Sequence, residues 1–447
     1  MLSKILKTLP LVMAIAMLFP AAAYGFEIPQ IIRVGLETGY SNAERVDISN
    51  REISLGFGTD AGRGQHSVLT ASSGFNVRVS DGRAVLFDGS NAVVTLDPND
   101  NIAGVGEPIN LGERQYRGAI EFMVAGSRIT AVNCLTIEEY LYSVVPSEMP
   151  STWHIEALKA QAVASRSYAM TRIRAHAAQG YHLCDRTHCQ VYIGVGRETE
   201  STTAAVNATM GVMAYFDGLP INAVYSSSNG GSSENSEDVW NEAVPYLRAV
   251  NDIYETSGRR WERTYTLRQI QALNDTDIGT VTRVYIARTS PLGRVQELVI
   301  EGTGGTRTLT KEAVRTFFSG SEDGMLESKN FVMQGAGAVS AETRLFVTDA
   351  VGIEQFPLTD MFALSVDGEL ARLSSATVVG AWGARAVYEP TSAVVSGGSS
   401  QGNLAVFTGR GWGHGVGMSQ HGARDMAEAG FNFVQILRYY YTGIEVG

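Results

Sequence analysis

The chain has 447 residues and a formal net charge of -11 at neutral pH. This length is sufficient for two or three domains with a substantial hydrophobic core, and the acidic balance argues against nucleic acid as a partner. With only three cysteines, the chain cannot build the dense disulfide framework of a small secreted scaffold.

The first 25 residues have the pattern of a secretory signal. Lys4 and Lys7 precede an apolar run over residues 9–19, and small residues follow up to Gly25. The run is short for a bilayer span, so we predict cleavage near Gly25. An uncleaved, tilted anchor is the alternative, and only then do we expect contact with the membrane. Under both interpretations, residues 26 onward work outside the cytoplasm.

Residues 26–118 are predicted to form a β-rich region. Alternating and β-branched apolar runs recur there between glycine and Asn-Asp clusters, which is the pattern of antiparallel strands. The runs predicted to be strands, with one just beyond this region, are residues 31–35, 52–57, 75–79, 84–87, 92–96 and 119–124.

Two helices are predicted next. Thr136 and Glu139 have the spacing of a capping box, and Pro146 is expected to end the first helix. The second helix is predicted over residues 153–178, with Thr152 as its N-cap. Its many alanines would let it pack closely against its neighbours, so we expect it to be buried.

Glu148 lies in the bend between these helices and is the candidate reactive group. Loops held by stiff elements are common positions for catalytic side chains, because the scaffold fixes the group while the loop leaves it accessible. The neighbours Pro146, Met149 and Pro150 are apolar. A substrate that covers the bend would therefore remove water from the carboxyl group and raise its pKa, as a general acid at neutral pH requires.

Two basic residues of the second helix, Lys159 and Arg166, are candidates for substrate contacts. The alternative is that both are ordinary surface residues, whose charged ends are in water and whose apolar stems lie along the helix.

The segment from Cys184 to Cys189 predicts a metal site. Its two thiols and the adjacent His188, with His176 and His182 upstream, can supply the four nitrogen and sulfur ligands of a tetrahedral zinc site. A disulfide between the two cysteines is the alternative in an exported protein, but it would not explain the histidines. We expect any zinc to be structural, because four protein ligands leave no open position for water.

A polar loop follows a predicted strand and is a candidate for binding sugars. Its hydroxyl, amide and glycine groups come from Tyr225, Ser226, Ser228, Asn229 and Gly230. Trp240, downstream, could stack on a pyranose face. An ordinary polar turn followed by core aromatics explains the same residues.

Residues 261–402 are predicted to be an inserted region. Its pattern is a helix, two strands and a helix, followed by further alternating segments and a flexible Gly/Ser link over residues 396–402. The first four elements are predicted at residues 267–273, 281–288, 295–302 and 310–318.

Residues 403–447 contain a glycine-rich block between a predicted strand and two predicted helices. Glycine at every second position over residues 409–417 lets a ligand or another backbone approach the main chain. His414 can orient a substrate there or be satisfied within the core, and Gln420 is a further candidate for a substrate contact. The spacing differs from the dinucleotide fingerprint.

These patterns predict an α+β fold. We expect mixed antiparallel sheets, an alanine-rich helical region around Glu148, and inserted small α+β and β units.

Four of these segments occur together, in this order, in a known family. They are the Glu148 bend with its alanine-rich helix, the Cys184 to Cys189 segment, the Tyr225 loop and the block that ends at Gln420. In this combination the chain resembles the stage II sporulation protein D (SpoIID) and LytB family. The resemblance extends over residues 119–250 and 403–443, so residues 119–260 are predicted to be the SpoIID-like catalytic core, completed by residues 403–447.

The resemblance implies a bacterial peptidoglycan lytic transglycosylase in the cell wall, active in cell-wall remodelling or sporulation. Glu148 would cleave the β-1,4 bond from MurNAc to GlcNAc and leave a 1,6-anhydroMurNAc end. The implied substrate is glycan stripped of its stem peptides, and the implied partner is an amidase. Some members carry zinc at the cysteine segment, with ligands that match His188 and, with a different spacing, His176; His182 remains a rival.

A single carboxylate can perform this reaction, because the C6 hydroxyl of the sugar takes the place of an attacking water. A hydrolase would need a second carboxylate, which Glu234, Glu237 or Asp238 could supply.

Two other functions remain open. LytB-type members are described as enhancers of an N-acetylmuramoyl-L-alanine amidase, so a non-catalytic cell-wall binding protein is the first alternative. A zinc amidase is the second.

Overall fold

The structure is a computed structural model that describes residues 29–57, 67–106, 108–256, 258–335, 344–348, 353–357, 362–364, 370–372, 376–380, 383–388 and 404–447. The predicted signal segment and the Gly/Ser link at residues 396–402 lie outside these residues. Among the helices that the structure describes, none is both long and apolar enough to cross a bilayer.

Two sheets form the N-terminal part of the chain. The first has seven strands, in the order Leu183–Cys184, Ile32–Gly35, Arg128–Leu135, Ala119–Ala125, Asp100–Gly104, Glu52–Phe57 and Ser67–Thr70. Its pairs are antiparallel except for Leu183–Cys184, which runs parallel to Ile32–Gly35. The second has six antiparallel strands, in the order Arg114–Tyr116, Ile109–Leu111, Arg45–Ile48, Phe75–Ser80, Arg83–Asp88 and Asn91–Leu96.

A helical layer follows these sheets in the chain. The α-helices of the described chain are α1 (Ile137–Glu148), α2 (Ile155–Thr171), α3 (Glu200–Ala208), α4 (Leu267–Leu273), α5 (Ala313–Thr316), α6 (Gln420–Glu428) and α7 (Phe433–Tyr440). Short 3-10 helices lie at Ala177–Gln179, Val195–Arg197, Ser236–Asp238 and Phe317–Gly320.

Helix α2 is the centre of this layer, in contact with α1, α3, α6 and α7. Its small side chains are fully buried, as predicted from Ala157, Ala160, Ala162 and Ala164. Helices α1, α2, α3, α6 and α7 and both N-terminal sheets share one hydrophobic core. Because apolar burial is the main stabilising term, the sheets and the helical layer stabilise each other.

Two small sheets join the C-terminal segment to the helical layer. One has the strands Leu219–Pro220, Ala214–Phe216 and Glu445–Val446. The other is a parallel pair of Tyr225–Ser226 with Met418–Ser419. The C-terminal segment therefore pairs with strands that lie about two hundred positions earlier in the sequence, before the inserted region.

The inserted region has a second hydrophobic core. One of its sheets has the order Arg260–Thr266, Leu404–Arg410, Phe331–Gly335, and the other Val281–Thr289, Val295–Gly302, Gly305–Thr310. Strand Leu404–Arg410 thus packs with the inserted region and leads directly into the glycine-rich block. Three hairpins follow in the region, formed by Arg344–Thr348 with Ile353–Pro357, Phe362–Leu364 with Leu370–Arg372, and Ala376–Gly380 with Gly383–Tyr388.

The prediction of an α+β fold is confirmed. The six predicted N-terminal runs all coincide with strands, and the capping box is present: Thr136 Oγ1 accepts the Glu139 N–H, and the Glu139 carboxylate accepts the Thr136 N–H.

Three of the predicted helices have wrong boundaries. Helix α1 continues through Pro146 to Glu148, although this proline lacks the N–H that would bond to the carbonyl four residues earlier. Helix α2 begins after a turn in which the Trp153 N–H donates to the Pro150 carbonyl, with His154 as its N-cap, and it ends at Thr171. The helix predicted over residues 310–318 is shorter, because residue 310 ends a strand and Lys311 has a φ of 53°, which a right-handed helix does not accommodate. This stretch contains α5 and a 3-10 turn instead.

Candidate functional site

Glu148 is the last residue of α1 instead of part of a free bend. The helix end is well fixed, since the Met149 N–H donates to the Val145 carbonyl at 2.9 Å and the Ser147 hydroxyl donates to the Ser143 carbonyl at 2.8 Å. The side chain of Glu148 is therefore held by a regular element and is only partly exposed.

Two opposing effects act on the carboxyl group of Glu148. Burial, the larger effect, raises its pKa above the ordinary value. Hydrogen bonding from the Val191 backbone N–H and from the side chains of Gln420 and Tyr225 lowers the pKa. The structure thus brings three predicted site residues together: Glu148, Tyr225 and Gln420.

A shell of polar side chains supports these donors. Gln190 Nε2 donates to Tyr225 Oη at 2.9 Å, and Gln420 Nε2 donates to Gln161 Oε1 at 3.3 Å. Gln161 in turn donates to Ser165 Oγ at 2.9 Å. Gln161, Ser165 and Gln420 are all nearly fully buried, so the network has few alternative arrangements.

Three tyrosines face Glu148, namely Tyr140, Tyr168 and Tyr225. Burial raises the pKa of each, and the charge of Glu148 raises it further. All three are therefore neutral at physiological pH.

The predicted metal ligands His176, Cys184, His188 and Cys189 converge. Their ligand atoms all lie within 4.8 Å of one another. His188 Nδ1 lies 3.2 Å from His176 Nε2, 3.5 Å from Cys189 Sγ and 3.9 Å from Cys184 Sγ. Two thiols and two imidazoles at this spacing form a donor set that could hold a metal ion.

The geometry at this cluster agrees with the metal-site alternative. In the structure Cys184 and Cys189 are separate thiols. His182 lies apart, where its Nδ1 accepts the Arg33 N–H at 3.1 Å at the edge of the first sheet. His176 therefore takes the place for which His182 was a rival.

The metal-ligand cluster lies beside the Glu148 pocket. Cys189 is followed directly by Gln190 and Val191, which bond to Tyr225 and Glu148. Tyr168 also lies near both sites, because its hydroxyl donates to the His188 carbonyl at 3.5 Å and the charge of Glu148 raises its pKa. The cluster and the Val191 N–H thus belong to one short segment of the chain.

The two basic candidates of α2 have partners elsewhere. Arg166 is 2% exposed and forms a paired hydrogen bond with Glu138, at 2.5 and 3.0 Å, and a third to the Val212 carbonyl. Lys159 pairs with Glu156 at 2.7 Å. Arg166 is neither a surface residue nor free to meet a substrate, which corrects both interpretations of it given above.

The polar loop after Tyr225 is turned inward. Ser228 and Asn229 are 1% exposed, and Ser226 is 7% exposed. Ser228, Asn229 and Gly230 all donate to the carboxylate of Glu255. Ser228 and Asn229 are thus occupied in holding the loop, whereas Tyr225 and Gly230 are partly exposed, and sugar binding by this loop stays a prediction.

His414 has a structural position in the glycine-rich block. Burial, with nearby Arg315 and Arg294, lowers its pKa to about 4, so the imidazole is neutral. Its Nδ1 accepts the Val416 N–H at 3.0 Å, and it is also hydrogen-bonded to the backbone of Tyr225. His414 therefore helps to fix Tyr225, and its ring packs on Trp240 with 5.1 Å between centroids.

The other carboxylates considered for a hydrolase are paired. Glu234 is fully buried against Arg294, and Glu237 forms a 2.6 Å salt bridge with Arg248. Asp238 accepts from Asn235 Nδ2 at 3.0 Å. The structure gives none of them a contact with Glu148.

The sequence reasoning missed three parts of the site: Gln190, the Val191 N–H and Glu255. Gln190 lies within the cysteine segment, so its position was a usable signal. A backbone N–H carries no mark in the sequence, and Glu255 lies outside every motif.

Comparisons with known proteins agree with this assignment of motifs. A family model described as stage II sporulation protein matches residues 125–216. A second model, described as a domain of unknown function, matches residues 254–349. The first match includes α1, α2 and all four residues of the metal-ligand cluster.

Several curated relatives are similar over most of this chain. The amidase enhancer of Bacillus subtilis (strain 168) is 31% identical over 343 residues, which are 75% of this chain and 44% of that protein. The stage II sporulation protein D of the same organism is 26% identical over 71% of this chain and 76% of its own length. That of Bacillus amyloliquefaciens is 25% identical over 71% of this chain and 75% of its own length.

The chain thus spans less than half of the amidase enhancer but about three quarters of the two sporulation proteins. With the family match over α1, α2 and the metal-ligand cluster, these relatives show that the chain belongs to the SpoIID/LytB family.

Proposed function

We propose that this protein is a peptidoglycan lytic transglycosylase that cleaves MurNAc to GlcNAc β-1,4 bonds of denuded glycan strands. One observation carries the proposal: Glu148 is a partly buried carboxyl group with a raised pKa, and its hydrogen-bond partners are neutral groups. A carboxyl group in such surroundings is suited to hold a proton near neutral pH and to release it to a substrate.

In the first step, Glu148 donates its proton to the glycosidic oxygen. The bond from that oxygen to C1 of MurNAc breaks, and the sugar acquires oxocarbenium character. The Val191 N–H, Tyr225 and Gln420 then stabilise the carboxylate that is left. Burial favours the acid form and these donors favour the base form, so both forms are accessible during one turnover.

In the second step, the same carboxylate takes the proton of the C6 hydroxyl. The C6 oxygen attacks C1 and closes the 1,6-anhydro ring, which returns Glu148 to its acid form. The step consumes no water and needs no second carboxylate. The ion pairs of Glu234 and Glu237 are consistent with this single-carboxylate mechanism.

We further propose that the metal-ligand cluster holds a structural zinc ion. His176, Cys184, His188 and Cys189 are the four nitrogen and sulfur ligands of a closed tetrahedral site, so the ion would have no position open to water. Zinc would there cross-link the segment that leads into Gln190 and Val191. This argues against the alternative of a zinc amidase.

The proposed setting is the cell wall, outside the cytoplasm. In this setting residues 119–260 and 403–447 form the catalytic unit, glycan strands are the substrate, and a cell-wall amidase that removes stem peptides is a partner.

The test is digestion of purified, denuded glycan by the wild type and by Glu148→Gln. Mass spectrometry should detect 1,6-anhydroMurNAc ends with the wild type and a loss of about 10²- to 10⁴-fold in the variant, the usual contribution of a general acid. Identical product profiles from the two proteins would rule out the transglycosylase.

The second candidate is a non-catalytic protein that stimulates a cell-wall amidase. It is favoured by the name of the amidase enhancer, which is 31% identical over 75% of this chain. In that case the rate of a purified N-acetylmuramoyl-L-alanine amidase on intact peptidoglycan should rise equally with the wild type and with Glu148→Gln, and neither should cleave glycan.

A further inference from the structure

The inward-facing loop at residues 228–230 donates three hydrogen bonds to the buried carboxylate of Glu255, while the Asn229 side chain donates a fourth bond to Asp252. The Ser228 hydroxyl and the Gly230 N–H donate to Oε1 of Glu255, the latter at 3.2 Å. The Asn229 N–H donates to Oε2 of Glu255 at 3.0 Å. Glu255 is only 8% exposed, so these bonds are shielded from water.

The same carboxylate reaches a second, distant segment. The Ser419 hydroxyl donates to Glu255 Oε2 at 2.6 Å. Ser419 is also the N-cap of α6, where its oxygen accepts the Gly422 N–H at 3.2 Å. Glu255 therefore ties the loop after Tyr225 to the start of α6.

An ionised carboxylate is well suited to this position, because it offers acceptors only. A glutamine of the same shape would keep one oxygen and turn an NH₂ group towards donors. The backbone N–H groups of Asn229 and Gly230 can only donate, so they cannot pair with such an NH₂ group. The two serine hydroxyls can rotate and accept a hydrogen bond from it instead.

The two segments that Glu255 joins carry the side-chain donors of Glu148. Tyr225 and Ser226 lie parallel to Met418 and Ser419, with Ser226 opposite Ser419. Tyr225 is at the start of the first segment, and Gln420 directly follows the second. Both side chains are hydrogen-bonded to Glu148.

We propose that Glu255 is a positioning residue that holds Tyr225 and Gln420 against the Glu148 carboxylate, a role that rests on the catalytic function proposed for Glu148. Glu255 touches neither Glu148 nor a substrate in this role. It acts through the parallel pair of strands, in the way that a supporting shell fixes catalytic groups.

The test compares Glu255→Gln with the wild type by the pH profile of kcat on denuded glycan. Displacement of Tyr225 and Gln420 removes bonds that favour the Glu148 carboxylate, so its pKa rises and the basic limb of the profile moves to higher pH. The tyrosines that face Glu148, namely Tyr140, Tyr168 and Tyr225, have raised pKa values and do not contribute to that limb.

Glu121→Gln is the matched control for lost stability. Glu121 is 7% exposed and forms a partly buried ion pair with Arg33 in the first sheet. This variant should lower Tm and leave the basic limb in place. Should Glu255→Gln fail to fold, Ser228→Ala removes one donor to Glu255 and should move the limb in the same direction by less.

An unmoved limb in Glu255→Gln or, failing that, in Ser228→Ala would overturn the inference. If the wild type has no turnover at all, the proposed function fails and the titration of Glu148 is read from stability instead. The difference in Tm caused by Glu148→Gln is then measured against pH with and without Glu255→Gln; coincident curves would overturn the positioning role.

Discussion

His176 and His188 face each other across 3.2 Å, from Nε2 of the first imidazole to Nδ1 of the second. The buried thiols of Cys184 and Cys189 complete the group. Glu37 lies on the far side of His176, with 3.8 Å between its carboxylate and His176 Nδ1. His176 Nδ1 has no hydrogen-bond partner within the described residues, and Glu37 instead accepts the Tyr181 hydroxyl at 2.6 Å, so Glu37 places a negative charge beside the group without hydrogen-bonding to the imidazole.

The first prediction concerns this metal-ligand cluster. The wild type should bind one zinc ion per chain, and Cys184→Ser should lose it, with a lower Tm, because metal binding contributes directly to folding stability. Elemental analysis and thermal unfolding measure both effects. Cys134→Ser is the control, since Cys134 is equally buried but lies outside the cluster; it should retain the zinc.

A disulfide would give a different result. The intact mass would then lack two hydrogens, and a reducing agent would lower Tm in the absence of a chelator. Either finding in the purified protein would contradict the zinc site.

The second prediction concerns the pH dependence of stability at Glu148. Its pKa in the folded protein is raised above the ordinary value of 4.5, so the unfolded chain releases this proton at lower pH than the folded protein does. Ionisation of Glu148 therefore reduces stability as the pH rises from about 4.5 through the folded pKa. Glu148→Gln should be more stable than the wild type above this range.

Glu156→Gln provides a control of opposite sign. Burial raises the pKa of Glu156, but hydrogen bonds from Lys159 and the Phe433 N–H outweigh it, so the pKa is lowered overall. The stability that Glu156 contributes is present above its unfolded pKa, and Glu156→Gln should lose it there. Thermal unfolding at a series of pH values measures both variants; a Glu148→Gln difference that does not change with pH would contradict the raised pKa.

The sequence predicted the local features of this site better than its long-range ones. The capping box at Thr136 and the metal-ligand cluster each depend on residues that are close together in the sequence, and both are present in the structure. The sequence predicts a bend at Glu148 because proline is unfavourable in helices, yet α1 includes Pro146 and ends at Glu148. The propensity of one residue therefore did not determine where this helix ends.

The polar loop after Tyr225 is a case in which the local sequence pattern was misleading. Ser228 and Asn229 have the composition of an exposed turn, yet Glu255 draws them inward from a position 26 or 27 residues along the chain. The Val191 N–H reaches Glu148 only because the fold brings the cysteine segment against the end of α1. Such contacts follow from tertiary packing and leave no periodic signal.

The third prediction concerns the hydroxyl of Tyr225. Tyr225→Phe removes a donor to Glu148 and leaves Gln190 Nε2 without its 2.9 Å acceptor. We expect kcat to fall between about tenfold and a hundredfold, as for one lost hydrogen bond to a charged group, with little change in KM. Tyr441→Phe is the control, because it loses a similar buried bond, to the Val224 carbonyl. Equal kcat values for the two variants would exclude a specific role for Tyr225.

The fourth prediction separates structure from substrate binding at Arg166. Arg166→Ala leaves Glu138 without its charged partner, with only the Gly211 N–H remaining, and should lower the free energy of unfolding by about 3–5 kcal/mol. Arg45→Ala, at an ion pair that is 52% exposed on the arginine side, should change it by less than about 1 kcal/mol. Where Arg166→Ala is folded, its affinity for denuded glycan should equal that of the wild type. A weakened affinity without loss of stability would restore Arg166 as a substrate contact.

The fifth prediction concerns the junction between the inserted region and the rest of the chain. Arg294 and Glu234 are both fully buried, with 2.6 Å between Nε and Oε1, and Arg294 also donates to the carbonyls of Asn229 and Ser232. Lys329 lies 3.5 Å from the second oxygen of Glu234. The inserted region is thus bound through charges to the segment that follows Tyr225.

Arg294→Met removes the stronger partner of a buried carboxylate, so the free energy of unfolding should fall by about 3–5 kcal/mol. Arg288→Met, at an ion pair in which the arginine is 55% exposed, should change it by less than about 1 kcal/mol. Denaturant unfolding measures both. Because Arg294 holds the carbonyl of Asn229, which is also fixed by Glu255, its loss should reduce the activity on denuded glycan as well. Full activity in a strongly destabilised Arg294→Met would show that the junction supports the fold without influencing the Glu148 pocket.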